Sequence, residues 1–261
     1  MQSLKPEMFN NLFLGLGGFH FEKIVYGCVG SYLKPSGIFS VLVNTECFGP
    51  EVIKTVMGGT DYVRSKEGIS RIHEAVYDLM LDQYLNNTAD ININQLNDLV
   101  GNDFKSWDIM IEQFAAPWMS KFKTYIEKRC KESQNFLYWY VFVFSIYPIV
   151  RDLTQSLRVA NWDGYMSSVR RCLPLFFAFG RTNYARYAPI FFEECMDLER
   201  RFPAMYDHFL NGGFVVNRQR QGSGTPMDQA LEQVYNKPAK GAGGVIGITR
   251  RKEAVAMWSI L

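Results

Sequence analysis

The 261-residue chain has few cysteines, and none of them forms a recognisable metal-binding or disulfide pattern. Its five cysteines are widely spaced, with no CxxC pair and no Cys/His cluster. This spacing argues against a zinc module and against a disulfide framework. Unpaired cysteines in odd number are typical of a reducing compartment, so we expect an intracellular protein, either nuclear or cytoplasmic.

Two common signatures of enzyme sites are also missing. The sequence contains no GxSxG motif, and the glycine run at residues 241–244 lacks the Gly-Lys-Ser/Thr ending of a P-loop. Glycines let a backbone approach a phosphate, and Arg250 and Arg251 follow closely. Without the rest of the motif, a flexible loop with basic flanks is the better interpretation.

The sequence also lacks an apolar run of transmembrane length. Residues 136–150 (FLYWYVFVFSIYPIV) are free of charge, but a helix that spans a bilayer needs about 20 residues. The aromatic density of this run and its internal Pro148 fit a buried core helix better than a lipid-facing one. At the N-terminus, Lys5, Pro6 and Glu7 interrupt any signal-peptide pattern. We therefore expect no membrane partner.

Charge is low overall but unevenly distributed. The formal net charge is +2; residues 150–261 hold 15 Lys+Arg against 10 Asp+Glu, which leaves 13 against 16 before them. A mild bias of this kind is often only a solvated surface, although basic clusters can also contact phosphates. The candidate nucleic-acid-binding residues are the basic ones near the C-terminal end: Arg218, Arg220, Arg250, Arg251 and Lys252.

Aromatic residues, at 15%, and hydrophobic residues, at 48%, are plentiful, which predicts a substantial folded core. Helical periodicity dominates, so the predicted fold is mainly α: a large helical domain with a few short strands near the two ends, at residues 9–16 and 214–218. An Asn- and Asp-rich stretch at residues 86–94 is the best candidate boundary. We therefore predict three parts, at residues 1–90, 91–212 and 213–261.

An acidic stripe near the C-terminal end has two interpretations. If residues 226–236 are helical, Asp228, Glu232 and Asn236 share one face, and such oxygen ligands suit Mg²⁺ or Mn²⁺. Alternatively, Thr225 is an N-cap, Pro226 is the first helical residue, and Asp228 is a capping-box acid. Spacing alone leaves both interpretations open.

His20 follows two glycines at the point where the predicted first strand meets a helix, in the sequence LGGFH. In that position it could bind a metal, carry a proton or contact a phosphate, or it could simply begin the helix. Residues 161–163 (NWD) predict a helix break and cap. The aromatic and arginine residues at 183–187 could stack on nucleobases or pack in the core.

Three segments together resemble a family of transposon-associated animal proteins whose biochemical role is unassigned. They are LGGFHFEKIVYGCVGSYLKPSG (16–37), NWDGYMSSVRRCLPLFFAFGRTNYARYAPIF (161–191) and DQALEQVYNKPAKGAGGVIGITR (228–250). They span most of the chain. The family is similar to transposases with a ribonuclease H-like core, in which three acidic residues hold two divalent metals for phosphodiester cleavage and strand transfer.

The resemblance implies a role for each matching position. Glu232 matches the acidic position of the late helix, Asp228 lies one turn before it, and His20 lies where related transposases carry an Asp or a Cys/His signature. These three are the candidate catalytic residues, with Glu232 and Asp228 as candidate ligands of Mg²⁺ or Mn²⁺. The helical bulk between them resembles the all-α insertion of those enzymes.

The sequence departs from the family pattern because it begins at the strand before LGGFH, without the further upstream strands and the first catalytic Asp. We therefore expect a C-terminal portion of a transposase-like protein, inactive alone, that binds DNA and depends on a missing N-terminal region or a protein partner. A second hypothesis is a helical protein-interaction scaffold without catalysis. A third is an independent metal-dependent hydrolase that uses His20, Asp228 and Glu232.

Overall fold

A computed structural model describes residues 12–87, 116–216 and 222–233, and these are mainly helical, which confirms the predicted fold class. In chain order the helices are α1 (Gly18–Leu33), α2 (Ile38–Asn44), α3 (Val52–Met57), α4 (Tyr62–Asn87), α5 (Ala116–Glu132), α6 (Gln134–Val141), α7 (Tyr147–Arg158), α8 (Trp162–Ala178), α9 (Thr182–Met196), α10 (Leu198–Arg201), α11 (Pro203–Leu210) and α12 (Met227–Leu231). A 3₁₀ turn (Lys34–Ser36) follows α1, and a π-helical turn (Phe142–Ile146) joins α6 to α7.

The only sheet in the described ranges has two short strands. β1 (Val215–Val216) pairs antiparallel with β2 (Thr225–Pro226), with Val215 opposite Pro226. β1 lies within the predicted strand at residues 214–218. The strand predicted at residues 9–16 does not appear in its described part, since residues 12–17 adopt no regular structure before α1 begins. A ribonuclease H-like core stays a prediction.

The chain divides into two compact units, Met1–Ser65 with Ile149–Leu261, and Lys66–Pro148. This division differs from the three-part prediction at residues 1–90, 91–212 and 213–261. The boundaries fall inside α4 and α7, two continuous helices. The Asn- and Asp-rich composition of residues 86–94 therefore does not coincide with either boundary between the two units.

In the first unit, α1 is the core helix, because it is buried on almost every face. Phe21, Val25, Cys28 and Val29 are fully buried along it. α1 packs against α3, α8 and α12. Its approach to α3 is close: a Cβ on Gly30 would collide with the carbonyl oxygen of Met57. Glycine is required there because two backbones meet without a side chain between them.

Local signals explain the ends of several helices. The side chain of Asn161 accepts a hydrogen bond from the backbone N–H of Gly164 at 3.0 Å and so caps α8, as the NWD sequence predicts. α11 ends at Leu210 with Asn211 as its C-cap, and Gly212 directly after the cap has a left-handed φ of +81°. The predicted glycine stop at residues 212–213 is confirmed.

The second unit is rich in aromatic contacts. Tyr84 of α4 is buried against three rings of α5, those of Trp118, Phe122 and Tyr125, with centroids 5.1–5.8 Å apart. His73 of α4 stacks on Tyr147 at 3.9 Å. These contacts pair α4 with α5 and with Tyr147, the first residue of α7.

The apolar run predicted to be a core helix is helical, but it is only partly buried. Phe142 and Val143 are buried, whereas Phe144 is exposed. Pro148 lacks an N–H donor, and the π-helical turn just before it accommodates the proline without ending the helix. By length and composition, the continuous helix Gln134–Arg158 could also cross a bilayer, and among the described residues no other helix meets that test. Core helices of soluble proteins meet it as well.

Candidate functional site

The first turn of α1 is capped by a residue that lies more than 200 positions later in the chain. Gly17, at the N-cap position, has no side chain that could accept the free N–H groups of the first turn. The carboxylate of Asp228 takes this role: Oδ1 accepts from the backbone N–H of Phe19 at 3.0 Å, and Oδ2 accepts from that of His20 at 3.0 Å. A carboxylate here also faces the positive end of the helix dipole. Asp228 therefore acts as the N-terminal cap of the core helix, although it belongs to a distant part of the chain.

Gly17 makes room for this cap. A Cβ on Gly17 would overlap the carboxylate of Asp228. The backbone of Gly17 is extended, with φ −64° and ψ 126°, which any residue can adopt. Glycine is therefore needed at this position for space, not for backbone conformation.

His20 lies between two carboxylates. Its Nδ1 is 2.9 Å from Oδ2 of Asp228, and its Nε2 is 3.9 Å from Oε1 of Glu232. Because a carboxylate is only an acceptor, Nδ1 carries the proton in this hydrogen bond. The imidazole is half-exposed, and the Nε2–Oε1 distance is too long for a hydrogen bond. The structure thus brings together the three residues that were predicted as catalytic.

A reciprocal clamp holds the segment before Asp228 in place. The Arg158 side chain donates from Nη1 to the carbonyl of Gly224 at 2.9 Å, and the N–H of Gly224 donates to the carbonyl of Arg158 at 2.9 Å. A Cβ on Gly224 would collide with the carbonyl of Leu157. The end of α7 therefore fixes the turn that leads through β2 into α12.

A buried polar network continues from this clamp into the core. Glu22 is fully buried, and its carboxylate accepts from the Thr154 hydroxyl at 2.7 Å and from the Tyr62 hydroxyl at 3.2 Å. Tyr62 accepts in turn from Nη2 of Arg158 at 2.8 Å. Burial raises the pKa of Tyr62 well above its usual range, and the neighbouring Glu22 carboxylate adds to the shift. Tyr62 therefore stays protonated and can donate to Glu22.

A cavity of about 320 Å³ opens beside the cap. Aromatic side chains supply much of its wall: Phe13, Trp162, Tyr165, Phe191, Phe209 and Phe214. Gly17, Gly18 and Asp228 also line it. The hydroxyl oxygen of Tyr165 is buried and has no hydrogen-bond partner among the described residues.

The three segments that carry the family resemblance meet at this place. Trp162 and Tyr165 of the second segment line the cavity together with Gly17 of the first and Asp228 of the third. A second link joins the first two segments, since Nη2 of Arg181 donates to the carbonyl of Gly27 at 2.6 Å. Described residues of all three segments are thus neighbours in the folded chain.

The donor set does not fit a two-metal centre. Both oxygens of Asp228 already accept hydrogen bonds from the first turn of α1 and from His20, which leaves Nε2 of His20 and Glu232 as the available donors. Over residues 12–87, 116–216 and 222–233, no group of three or more His, Cys, Asp or Glu could hold a metal ion. Binding of Mg²⁺ or Mn²⁺ stays a prediction.

Several predicted residues lie outside the described ranges. They are Asn236 of the acidic stripe, the glycine run at 241–244, and the five basic candidates Arg218, Arg220, Arg250, Arg251 and Lys252. The capping prediction for the acidic stripe was wrong in its details. Thr225 and Pro226 form β2, and Asp228 caps α1 instead of its own helix, because the turn clamped by Arg158 directs it there.

Sequence reasoning missed Gly17 as a space requirement, Tyr165 as a cavity residue and Glu22 as a buried acid. Glu22 had a visible signal, since it is the only acid on a mostly apolar helix and lies four residues before Tyr26. Gly17 and Tyr165 had none, because their roles depend on segments far away in the sequence.

The fold and the site define a mainly helical protein whose core helix is closed by a distant carboxylate beside an aromatic cavity. The chain belongs to the family described as Domain of unknown function (DUF8702), which matches residues 1–260. No curated protein and no solved structure matches the chain.

Proposed function

We propose that this chain is a transposase-derived protein that contacts DNA without cleaving it by itself. The supporting observation is that the Asp228 carboxylate is already engaged in hydrogen bonds within the chain. In the site, its carboxylate accepts three hydrogen bonds that close α1 and hold His20. An acid engaged in this way stabilises the fold and is poorly placed to bind a catalytic metal. The proposal therefore assigns the acidic cluster a structural role and leaves DNA contact to the basic residues.

Contact with DNA predicts a strong dependence on salt. A filter-binding titration of a DNA duplex over a KCl series should show affinity that falls steeply as salt rises, because phosphate contacts release counterions. Changing Arg250, Arg251 and Lys252 together to Gln should weaken binding and reduce the slope of log K against log salt by about one per lost contact.

The matched control removes the same charge elsewhere. Lys54→Gln, Arg71→Gln and Lys128→Gln combined also lower the net charge by three, at exposed positions in α3, α4 and α5. This control should keep the salt slope. Equal losses in both triple variants would mean that only net charge matters, and binding that does not respond to salt would contradict DNA contact.

The absence of cleavage is tested on the same complexes. Labelled duplex incubated with the protein and MnCl₂ should remain intact on a denaturing gel. Cleavage that disappears in Glu232→Gln would contradict the proposal and support the metal-dependent hydrolase of His20, Asp228 and Glu232.

A helical interaction scaffold is the second candidate, and a surface feature favours it. Four apolar side chains on α8 and α9 are each more than half exposed: Phe177, Tyr187, Ile190 and Met196. On this hypothesis a binding protein recovered by pull-down should be lost in Ile190→Ser combined with Met196→Ser, and should be retained in Glu232→Ala. Loss with Glu232→Ala alone would argue against it.

A further inference from the structure

The hairpin formed by α8 and α9 carries positive charge without nearby acids along the sequence. The two helices are joined by the short turn at residues 179–181 and pack against each other. Residues 164–192, which make up most of the hairpin, contain four arginines and no Asp or Glu. The acids that flank this stretch, Asp163 and Glu193, lie near the hairpin end that is away from the turn. The hairpin therefore favours a negatively charged partner.

Two of the four arginines are free to contact such a partner. The side chains of Arg170 and Arg186 are exposed, and neither forms an ion pair or a hydrogen bond in the part of the chain that the structure describes. The other two are engaged: Arg171 forms an ion pair with Asp152 at 2.8 Å, and Arg181 donates to the backbone of α1. Arg170 and Arg186 can therefore pair with phosphate groups.

Exposed aromatic rings accompany these two arginines. Tyr187 of α9 is 52% exposed, and Phe177 of α8 is 63% exposed. The exposed Asn183 lies three residues before Arg186 and four before Tyr187, so the three side chains share one face of α9. On α8, Arg170 and Phe177 are seven residues apart and share a face as well. Each helix of the hairpin therefore presents a ring together with a cation.

Tyr184 shows how a core aromatic residue of the same hairpin is placed. Its ring packs against Phe21 and Phe176, with centroids 5.9 Å and 5.3 Å apart. Tyr187 has no ring contact with any described residue. Of the two interpretations of residues 183–187, core packing therefore applies to Tyr184, whereas the ring of Tyr187 is free to stack on a nucleobase.

We propose that the α8–α9 hairpin binds single-stranded nucleic acid. Bases stack on Tyr187 and Phe177, and the phosphates of the strand pair with Arg186 and Arg170. A single strand fits this surface better than a duplex, because its bases have faces that are free to stack. This inference rests on the DNA contact of the proposed function and extends it to a surface distinct from the basic residues near the C-terminal end.

Two probes with equal backbone charge test whether bases take part. Fluorescence anisotropy of the whole chain is measured with a labelled oligothymidine of about 15 nucleotides and with an abasic oligomer of the same length. Oligothymidine should bind at least about fivefold more tightly, since one stacked base accounts for a factor of that size. Equal affinities would overturn the proposal. So would the absence of oligothymidine binding at low salt, the result expected if a protein partner occupies this face instead.

The nature of the sugar is tested with oligouridine of the same length. Stacking does not depend on the sugar, so oligouridine and oligothymidine should bind about equally. A preference for one of them would identify the strand as RNA or DNA and would still support single-strand binding.

Tyr187→Ala tests the stacked ring. It should lower the affinity for oligothymidine at least about fivefold and leave the affinity for the abasic oligomer unchanged. Tyr187→Phe is the matched control, because it keeps the ring and should keep the affinity. Since Tyr187 is exposed, both variants should unfold at the urea midpoint of the wild type. Equal losses of affinity in the two variants would contradict stacking, because the hydroxyl would then make the contact.

Arg170→Gln combined with Arg186→Gln tests the phosphate contacts. Binding of both oligomers should weaken, and the slope of log K against log salt should fall by about 1.4, the value for two phosphate contacts with a single strand. Lys66→Gln combined with Lys123→Gln is the control, since it removes the same charge at exposed positions of α4 and α5. Equal changes of slope in the two double variants would assign binding to net charge and refute the site.

A DNA duplex separates this inference from the proposed function. Duplex binding should persist in Tyr187→Ala, because paired bases do not offer free faces to the ring. If duplex binding responds to salt while Tyr187→Ala and Phe177→Ala leave oligothymidine binding unchanged, this inference alone fails. Duplex binding that does not respond to salt would instead contradict the proposed function.

Discussion

Gly17 and Asp228 depend on each other although 211 positions separate them. The carboxylate of Asp228 occupies the space where a Cβ of residue 17 would lie, and it accepts the N–H groups that Gly17 cannot. At the residue scale, this pair determines how the core helix begins.

Gly17→Ala should therefore destabilise the protein by displacing the cap. We expect a loss of about 1–2 kcal/mol in the free energy of unfolding, the usual cost of a lost N-cap, measured by urea denaturation. Gly15→Ala is the control, because its Cβ would make only an ordinary contact, 3.5 Å from Phe13. If the two variants lose equal stability, steric exclusion at Gly17 is not the cause.

The candidate site residues were predictable to different degrees. His20, Asp228 and Glu232 were grouped through the family resemblance, and the structure does bring them together. Spacing alone gave only the i, i+4 relation between Asp228 and Glu232, which could not show that Asp228 caps a different helix. The partners of a cap so distant in sequence are set by tertiary packing, which local patterns do not contain.

At the scale of elements, α1 combines a buried polar network with two close backbone approaches. Gly27 and Gly30 are fully buried on it, and Gly59, with φ +76°, brings its own backbone near Lys23. The GxxG spacing on α1 therefore lets α3 and the turn after it approach without intervening side chains. Helical periodicity predicts α1, but it does not predict which face needs glycine.

Gly30→Ala should be more harmful than an ordinary helix substitution. Alanine favours helix by about 1 kcal/mol over glycine, but its Cβ would collide with the Met57 carbonyl, and overpacking typically costs 1–3 kcal/mol or more. We expect a net loss of stability of about 1–2 kcal/mol in thermal or urea unfolding. Gly49→Ala, where a Cβ would meet nothing within 4 Å, should be nearly neutral. A stabilised Gly30→Ala variant would show that α1 and α3 are less closely packed.

At the scale of the whole molecule, the mainly helical fold class was predicted from the sequence. Helical periodicity and strong caps such as Asn161 are local, so the mainly α class and the start of α8 could be predicted. The unit boundaries lie within α4 and α7, where no glycine- or proline-rich loop signals a change. The strand expected at residues 9–16 does not form over residues 12–17. Apolar runs of that length do not distinguish a strand from an irregular segment that packs on the core.

The three resemblance segments have a common physical explanation at this scale. Each contributes at least one residue, Gly17, Trp162 and Asp228 respectively, to the same cavity at the start of the core helix. A change in any one segment therefore affects the environment of the other two. This dependence supports using the acidic pair Asp228 and Glu232 as a mark of the fold rather than as evidence for chemistry.

The most direct test of the account is the free energy of unfolding of Asp228→Asn in EDTA. An amide offers one acceptor oxygen and turns a donor toward the N–H groups of α1, so the loss of this cap predicts a decrease of about 1–2 kcal/mol relative to the wild type. Glu232→Gln should stay within about 0.5 kcal/mol of the wild type. If Asp228 were instead a ligand of a metal centre, removing its charge from beside Glu232 without metal would relieve repulsion. An Asp228→Asn variant as stable as the wild type, or more stable, would contradict the structural role of this carboxylate.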